Sequence, residues 1–166
     1  MLKEAVQTVA ESPFKVLTPR EHEVLGLMAQ GFKNDVIANT LVIEKKTVEN
    51  LISDMYSRLG MATDPTFHRR VKVVLWYQEH DPDFKNPLDE IDGELSFTPR
   101  EQEVISLAGQ GYSNGAIANR LHIEAKTVTN FITTILDKIQ VDYQQYNYRT
   151  TIALVSQTKH LANNRT

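Results

Sequence analysis

An all-α fold built from two copies of one unit is what this sequence predicts, and three observations predict it. Apolar residues recur at helical spacing, with no strand-like alternation. Helix-start and helix-stop signals bracket those stretches. The signals also return in the same order at an offset of 80 residues. Thr18-Pro19-Arg20-Glu21 reappears as Thr98-Pro99-Arg100-Glu101, Gln30-Gly31 as Gln110-Gly111, and Ile37-Ala38-Asn39 as Ile117-Ala118-Asn119. Lys46-Thr47-Val48 reappears as Lys126-Thr127-Val128, and Arg69 pairs with Arg149. Roughly half of the aligned positions are identical, which marks a duplication.

Each unit is read in the same way. Thr18 is an N-cap, Pro19 takes the first helical position and Glu21 sits at N3, a capping box that starts a first helix running to Gly31. A short second helix spans about Asn34 to Leu41, with Val36, Ile37 and Leu41 apolar. After a tight turn, Val48, Leu51, Ile52, Met55 and Leu59 form the stripe of a third helix ending near Gly60. Val71, Val74, Leu75 and Trp76 suggest a fourth. These boundaries give an N-terminal helix in residues 1–13, repeat 1 over 14–80, a linker over 81–96, repeat 2 over 97–160 and a tail over 161–166. Leu2, Ala5, Val6 and Val9 have the spacing of a helix that packs on repeat 1.

Composition excludes several classes. The 166 residues hold no cysteine, so no disulfide or Cys-based zinc site arises, and the five histidines lack metal-ligand spacing. No apolar run is long enough to span a bilayer and the N-terminus lacks a secretion signal, which predicts a cytoplasmic protein. No nucleophile, general base or phosphate cradle assembles: GQGYSNG at 109–115 follows a helix and has the wrong spacing. Neither an enzyme nor a cofactor is expected. The net charge of −3 is set by the linker, which carries six acids and one base, while each repeat is near +1.

A short helix, a tight turn and a longer amphipathic helix form the helix-turn-helix arrangement, whose later helix enters the major groove. The stretches LTPREHEVLGLMAQGFKNDVIANTLVIEKKTVENLISDMYSRLG and FTPREQEVISLAGQGYSNGAIANRLHIEAKTVTNFITTILDKI resemble the DNA-binding domain of LuxR-type (FixJ/NarL-type) bacterial regulators. The resemblance implies a transcription regulator that places its third helix in the groove and dimerises through its fourth. It also implies that Lys46 and Lys126 contact phosphate, and that Glu49 and Thr129 occupy a position commonly basic. Leu51 and Phe131 replace a frequent histidine, Glu44 and Glu124 a frequent serine, and the loops ATDPTFHR and DYQQYNYR exceed the usual length.

With the apolar stripe turned inward, the outward residues predicted to touch base edges are Glu49, Asn50 and Ser53 in repeat 1, and Thr129, Asn130 and Thr133 in repeat 2. Phosphate contacts are predicted for Lys33, Lys45, Lys46, Arg58, Arg69, Arg70 and Lys72, and for Arg120, Lys126, Lys138 and Arg149, which makes repeat 1 the stronger electrostatic binder. Glu49 has three readings: it accepts from cytosine, it pairs in solvent with Lys45 or Lys46, or it marks repeat 1 as a module that contacts protein. Val73, Trp76 and Tyr77 either form an interface or pack in the core, and Tyr143, Tyr146 and Tyr148 are expected to fold back on the core, with contact to DNA or a partner as the alternative.

The expected activity is that of a DNA-binding regulator acting as a covalent pseudo-dimer on two unlike half-sites, whose centres lie about 34 Å apart if both third helices occupy one DNA face. The alternative is an adaptor that binds another regulator or RNA polymerase and not DNA. Self-association through the fourth helices is a further expectation.

Overall fold

The computed structural model describes residues 12–91, 93–158 and 161. The N-terminal helix expected from Leu2, Ala5, Val6 and Val9 lies outside the described residues. Among them are eight α-helices and no strand. In repeat 1 these are α1 (Pro19–Ala29), α2 (Asn34–Leu41), α3 (Lys45–Arg58) and α4 (Arg69–His80). Repeat 2 holds α5 (Pro99–Gly109), α6 (Asn114–Leu121), α7 (Ala125–Ile139) and α8 (Tyr148–Ser156).

Both capping boxes form. The Thr18 amide donates to Glu21 Oε2 at 2.7 Å and the Glu21 amide to Thr18 Oγ1 at 3.2 Å; Thr98 and Glu101 repeat the pattern at 2.8 and 3.3 Å. Each buried glutamate is then reached from the far end of the third helix, by Arg58 Nε at 3.0 Å and by Lys138 Nζ at 2.7 Å. Burial works to raise the Glu101 carboxyl, but the Lys138 ammonium and the Thr98 N–H outweigh it and hold the group below the usual carboxylate range. One acid thus caps the first helix and ties it to the third.

Two apolar cores follow. In repeat 1, Val24, Leu25, Met28, Ile37, Val48, Met55, Val73 and Val74 are buried together. In repeat 2, Val104, Ile105, Ile117, Val128, Ile135, Ile139, Ile152 and Val155 form the counterpart. Val73 is fully buried and Tyr77 is packed on Phe14 and His22, so of the two readings core packing holds for this pair and the interface does not. Trp76 is half-buried, edge-on to Phe14 at 5.4 Å.

The cores are joined by the loops that precede the fourth helices: residues 59–68, here arm 1, and residues 140–147, arm 2. Each arm docks on the other repeat, at the turn after its first helix. From arm 1, the His68 amide donates to the Gly111 carbonyl at 2.7 Å, while the Ser113 amide donates to the Thr66 carbonyl at 2.8 Å. From arm 2, the Asn147 amide donates to Gly31 at 2.7 Å, and the Lys33 amide donates to Gln145 at 2.9 Å. A stacked aromatic pair seals each crossing: Phe67 on Tyr112 at 5.0 Å and Tyr146 on Phe32 at 5.2 Å. The exchange is reciprocal, as in an isologous interface between two copies. Gly31 and Gly111 turn at φ of +94° and +90°, and a Cβ on Gly111 would lie 2.7 Å from the Lys72 side chain. Glycine adopts this left-handed backbone without the strain that a side chain would bring.

These bonds correct the alignment of the fourth helices. Arg70 Nη2 donates to the Phe32 carbonyl at 2.6 Å, and Arg149 Nη1 approaches the Tyr112 carbonyl at 3.5 Å, so the structural partner of Arg149 is Arg70, one residue beyond the Arg69 that an ungapped repeat would pair with it. The stretch at 81–96 also does more than connect. Phe84 packs against both cores, Leu88 and Leu95 are buried in the second, and the Asn86 amide group donates to the Leu154 carbonyl at 2.7 Å.

Candidate nucleic-acid interface

In each repeat the second and third helices are separated by a turn through a left-handed residue, Val42 at φ 53° and His122 at φ 54°. The residue after it, Ile43 or Ile123, packs against the core, which fixes the angle between the helices. The inward stripes then orient the third helices. Val48, Ile52, Met55 and Tyr56 are buried in α3, and Val128, Ile132, Ile135, Leu136 and Ile139 in α7.

The residues expected to read bases are all at the surface: Glu49, Asn50 and Ser53 on α3, and Thr129, Asn130 and Thr133 on α7. Their settings differ. Glu49 lies 3.8 Å from Lys46, and Lys45 is bound by Asp35 at 2.9 Å. Hydrogen bonding to Asp35 raises the Lys45 pKa, with the charge of Glu49 adding a smaller contribution in the same direction. On α7 the Thr129, Thr133 and Thr134 hydroxyls donate back to the carbonyls of Ala125, Thr129 and Asn130 at 3.2, 3.1 and 3.1 Å, which keeps the hydroxyl oxygens on the helix surface as acceptors. The Asn114 side chain donates to Thr129 Oγ1 at 3.3 Å, linking α6 to the outward face of α7.

The cations expected to hold phosphate divide into three groups. Lys46, Arg69, Lys72, Arg120 and Lys126 are exposed. Arg69 lies over the Tyr56 ring, Lys72 over Phe67 and Arg120 over Tyr112, with the charge 4.3, 4.8 and 4.1 Å from the ring centroids. Lys33, Lys45, Arg58 and Lys138 are engaged with the Tyr143 carbonyl, Asp35, Glu21 and Glu101. Arg70 and Arg149 correct the sequence reading outright. Arg149 is buried, and Arg70 is tied to Asn34 Oδ1 at 2.8 Å and to the Phe32 carbonyl, so each is spent tying its fourth helix to the turn after the first helix of its own repeat. The third helices themselves differ in charge. The outward set on α3 pairs its lysines with acids, whereas that on α7, from Lys126 to Thr134, carries a cation and no acid.

The arms were not identified from the sequence as residues that position the site, although one signal pointed to them. Phe32 and Tyr112 repeat each other beside the Gln-Gly turns, and the long loops each carry an aromatic, Phe67 or Tyr146, that docks on them. Because Asn34 and Asn114 begin the second helices directly after the docked residues, the crossings sit at the entrance to both helix-turn-helix units.

Fold and surface together define a tandem helix-turn-helix protein. A model of bacterial regulatory proteins, luxR family, matches residues 15–69 and again 95–149, well over half of the chain. The chain belongs to the luxR family of bacterial regulatory proteins and carries its DNA-binding domain twice. It is similar to the oxygen regulatory protein NreC of Staphylococcus aureus strains JH9, USA300 and MSSA476, each 42% identical over 53 residues, or 32% of this chain and 24% of the relative. The chain therefore spans about a quarter of the length of these relatives. No solved structure matches it. No described helix is long and apolar enough to cross a membrane, and the described residues hold no cluster of three metal-binding side chains.

Proposed function

We propose that this chain is a sequence-specific, DNA-binding transcriptional regulator that works as a covalent pseudo-dimer, with α3 and α7 reading two unlike half-sites. The observation that carries the reading is the pair of reciprocal arms, which holds two helix-turn-helix units in one body while their outward residues differ, Glu49 against Thr129. Tethering gives the second unit an effective concentration of about millimolar once the first is bound. Lys46 and Lys126, with Arg69 and Arg120, supply phosphate contacts, and Asn50 and Asn130 are suited to adenine. The asymmetry implies an operator without two-fold symmetry.

The test is selection from random duplex DNA at low salt, followed by titration of the enriched site with variants. Lys46→Ala should weaken all sequences alike and lower the salt slope by about 0.9. Glu49→Ala should relax one base position in one half-site, worth about 1–3 kcal/mol, and Asn130→Ala one position in the other.

A second reading is favoured by the lysines of α3, both engaged with acids. In it, repeat 1 has become a module for contacting RNA polymerase or another regulator. A selection that enriches only a single half-site, unaffected by Glu49→Ala, would support that division of labour.

A further inference from the structure

In repeat 2 the chain covers one of its own grooves. Asn86 bonds to the Leu154 carbonyl, Pro87–Glu90 makes a single 3-10 turn, and Leu88 and Ile91 lie across the groove between α8 and the start of arm 2, beside Val141, Asp142 and Tyr146. The duplication places the same groove in repeat 1, between α4 and the start of arm 1. Phe67 stands where Tyr146 does and Leu75 where Leu154 does, while Asp64 and Asp142 each accept from the amide two residues on, at 2.8 Å. In repeat 1, however, the groove is open among the described residues, a cavity of about 440 Å³ whose apolar wall is Met61, Phe67, Leu75 and Trp76.

We propose that this groove docks a short peptide segment of a partner protein, of the kind the chain lays on α8: a Pro-led turn followed by apolar anchors and acidic residues. The internal precedent supplies the shape. Charge supplies the preference, because Arg69 and Lys72 line the repeat 1 groove where repeat 2 has the neutral Tyr148 and Thr151. The same wall holds two acids: Asp64, whose counterpart Asp142 is also present in repeat 2, and Glu79, which stands where repeat 2 has Thr158, so relative to repeat 2 the wall gains two cations and one acid. The carbonyl of Leu75 retains a lone pair for an amide placed as Asn86 is. Arg69 at one end of the groove also lines a hollow with Glu49 and Ser53 of α3, so binding is measured on the DNA-free chain.

Trp76 is the sole tryptophan of the chain, which makes the groove directly observable. The full chain, free of DNA, is titrated with a synthetic peptide of residues 84–93, and Trp76 emission is followed. A saturable blue shift is expected. It should be lost with Leu75→Glu and with a peptide carrying serine in place of Leu88 and Ile91, and binding should weaken about tenfold or more when Arg69 and Lys72 are both changed to Glu. Thermal unfolding of each variant shows whether it remains folded, and the peptide substitutions leave the protein untouched. Unchanged emission at millimolar peptide overturns the proposal, as does an equal response from the serine peptide. It is also overturned if Trp76 is already shielded from acrylamide and opens only when residues 1–11 are removed, since the groove is then occupied in cis.

Discussion

The two fourth helices descend from one sequence and do different work. Every residue of α8 from Arg149 to Val155 is buried, because the helix is covered by α5, α7, α4 and the turn at Pro87–Glu90. In α4, burial is confined to Val71, Val73, Val74 and Tyr77, and Leu75 and Trp76 are left half-exposed. The chain has thus used one fourth helix as the hinge pin of the whole body and kept a free face on the other. Of α8 only its first residue, Tyr148, is exposed, so α4 offers the larger free face.

The contrast can be broken most sharply at the paired leucines. Leu154→Ala empties a buried site next to Gly31 and should cost about 2–5 kcal/mol in urea unfolding, while Leu75→Ala, half-exposed, should cost about 1 kcal/mol or less. Equal losses would mean that the two helices are equivalent after all.

The paired arginines come next. Arg70→Met removes two charge-assisted hydrogen bonds, to Asn34 and Phe32, and should cost about 2–3 kcal/mol. Arg149 is buried with one long hydrogen bond at 3.5 Å and a guanidinium 5.6 Å from the Tyr148 ring centroid, so Arg149→Met should fall within about 1 kcal/mol of the parent or exceed it in stability.

Between these arginines lies His68, pushed down to about 4 by burial and then by the charges of Arg149 and Arg70. It is neutral in the folded chain near pH 7, whereas the unfolded chain takes up a proton near the usual 6.5. The stabilisation is therefore complete above pH 6.5 and lost as the pH falls towards 4. Replacing His68 with Gln should flatten the stability profile across that window, and a slope equal to the parent's would show that another group is responsible.

The smallest effect is expected at the left-handed turns. Val42 is β-branched at φ 53° with 89% of its surface exposed, so Val42→Asn should gain about 0.5–1 kcal/mol without loss of packing. His122→Asn, at the matching turn, should change the melting temperature less, because histidine tolerates that backbone better than valine.

Local features were legible where local physics decides them. Thr18 and Glu21 could be read as a capping box because the cap needs only a hydroxyl and a carboxylate three residues apart. The third-helix stripe was equally plain, and with it the outward position of Glu49, Asn50, Thr129 and Asn130. Reading failed where a residue's role depends on a distant partner. Arg149 was matched with Arg69 on an ungapped register, yet it meets the second repeat as Arg70 meets the first, because arm 2 is cut differently from arm 1. Composition left Val73 and Tyr77 open between interface and core, and the core was decided by Phe14 and His22, which come from outside the helix to cover Tyr77.

By itself the sequence determined the helices, the duplication and the outward faces of the two third helices, because capping, 3.6-residue periodicity and internal identity are all carried by neighbours along the chain. Only the tertiary structure decided which cations face outward, which leucine is buried, and that each arm crosses to the other repeat. Those outcomes rest on stacking and main-chain bonds between residues up to 116 positions apart, from Gly31 to Asn147, and no local pattern records such contacts.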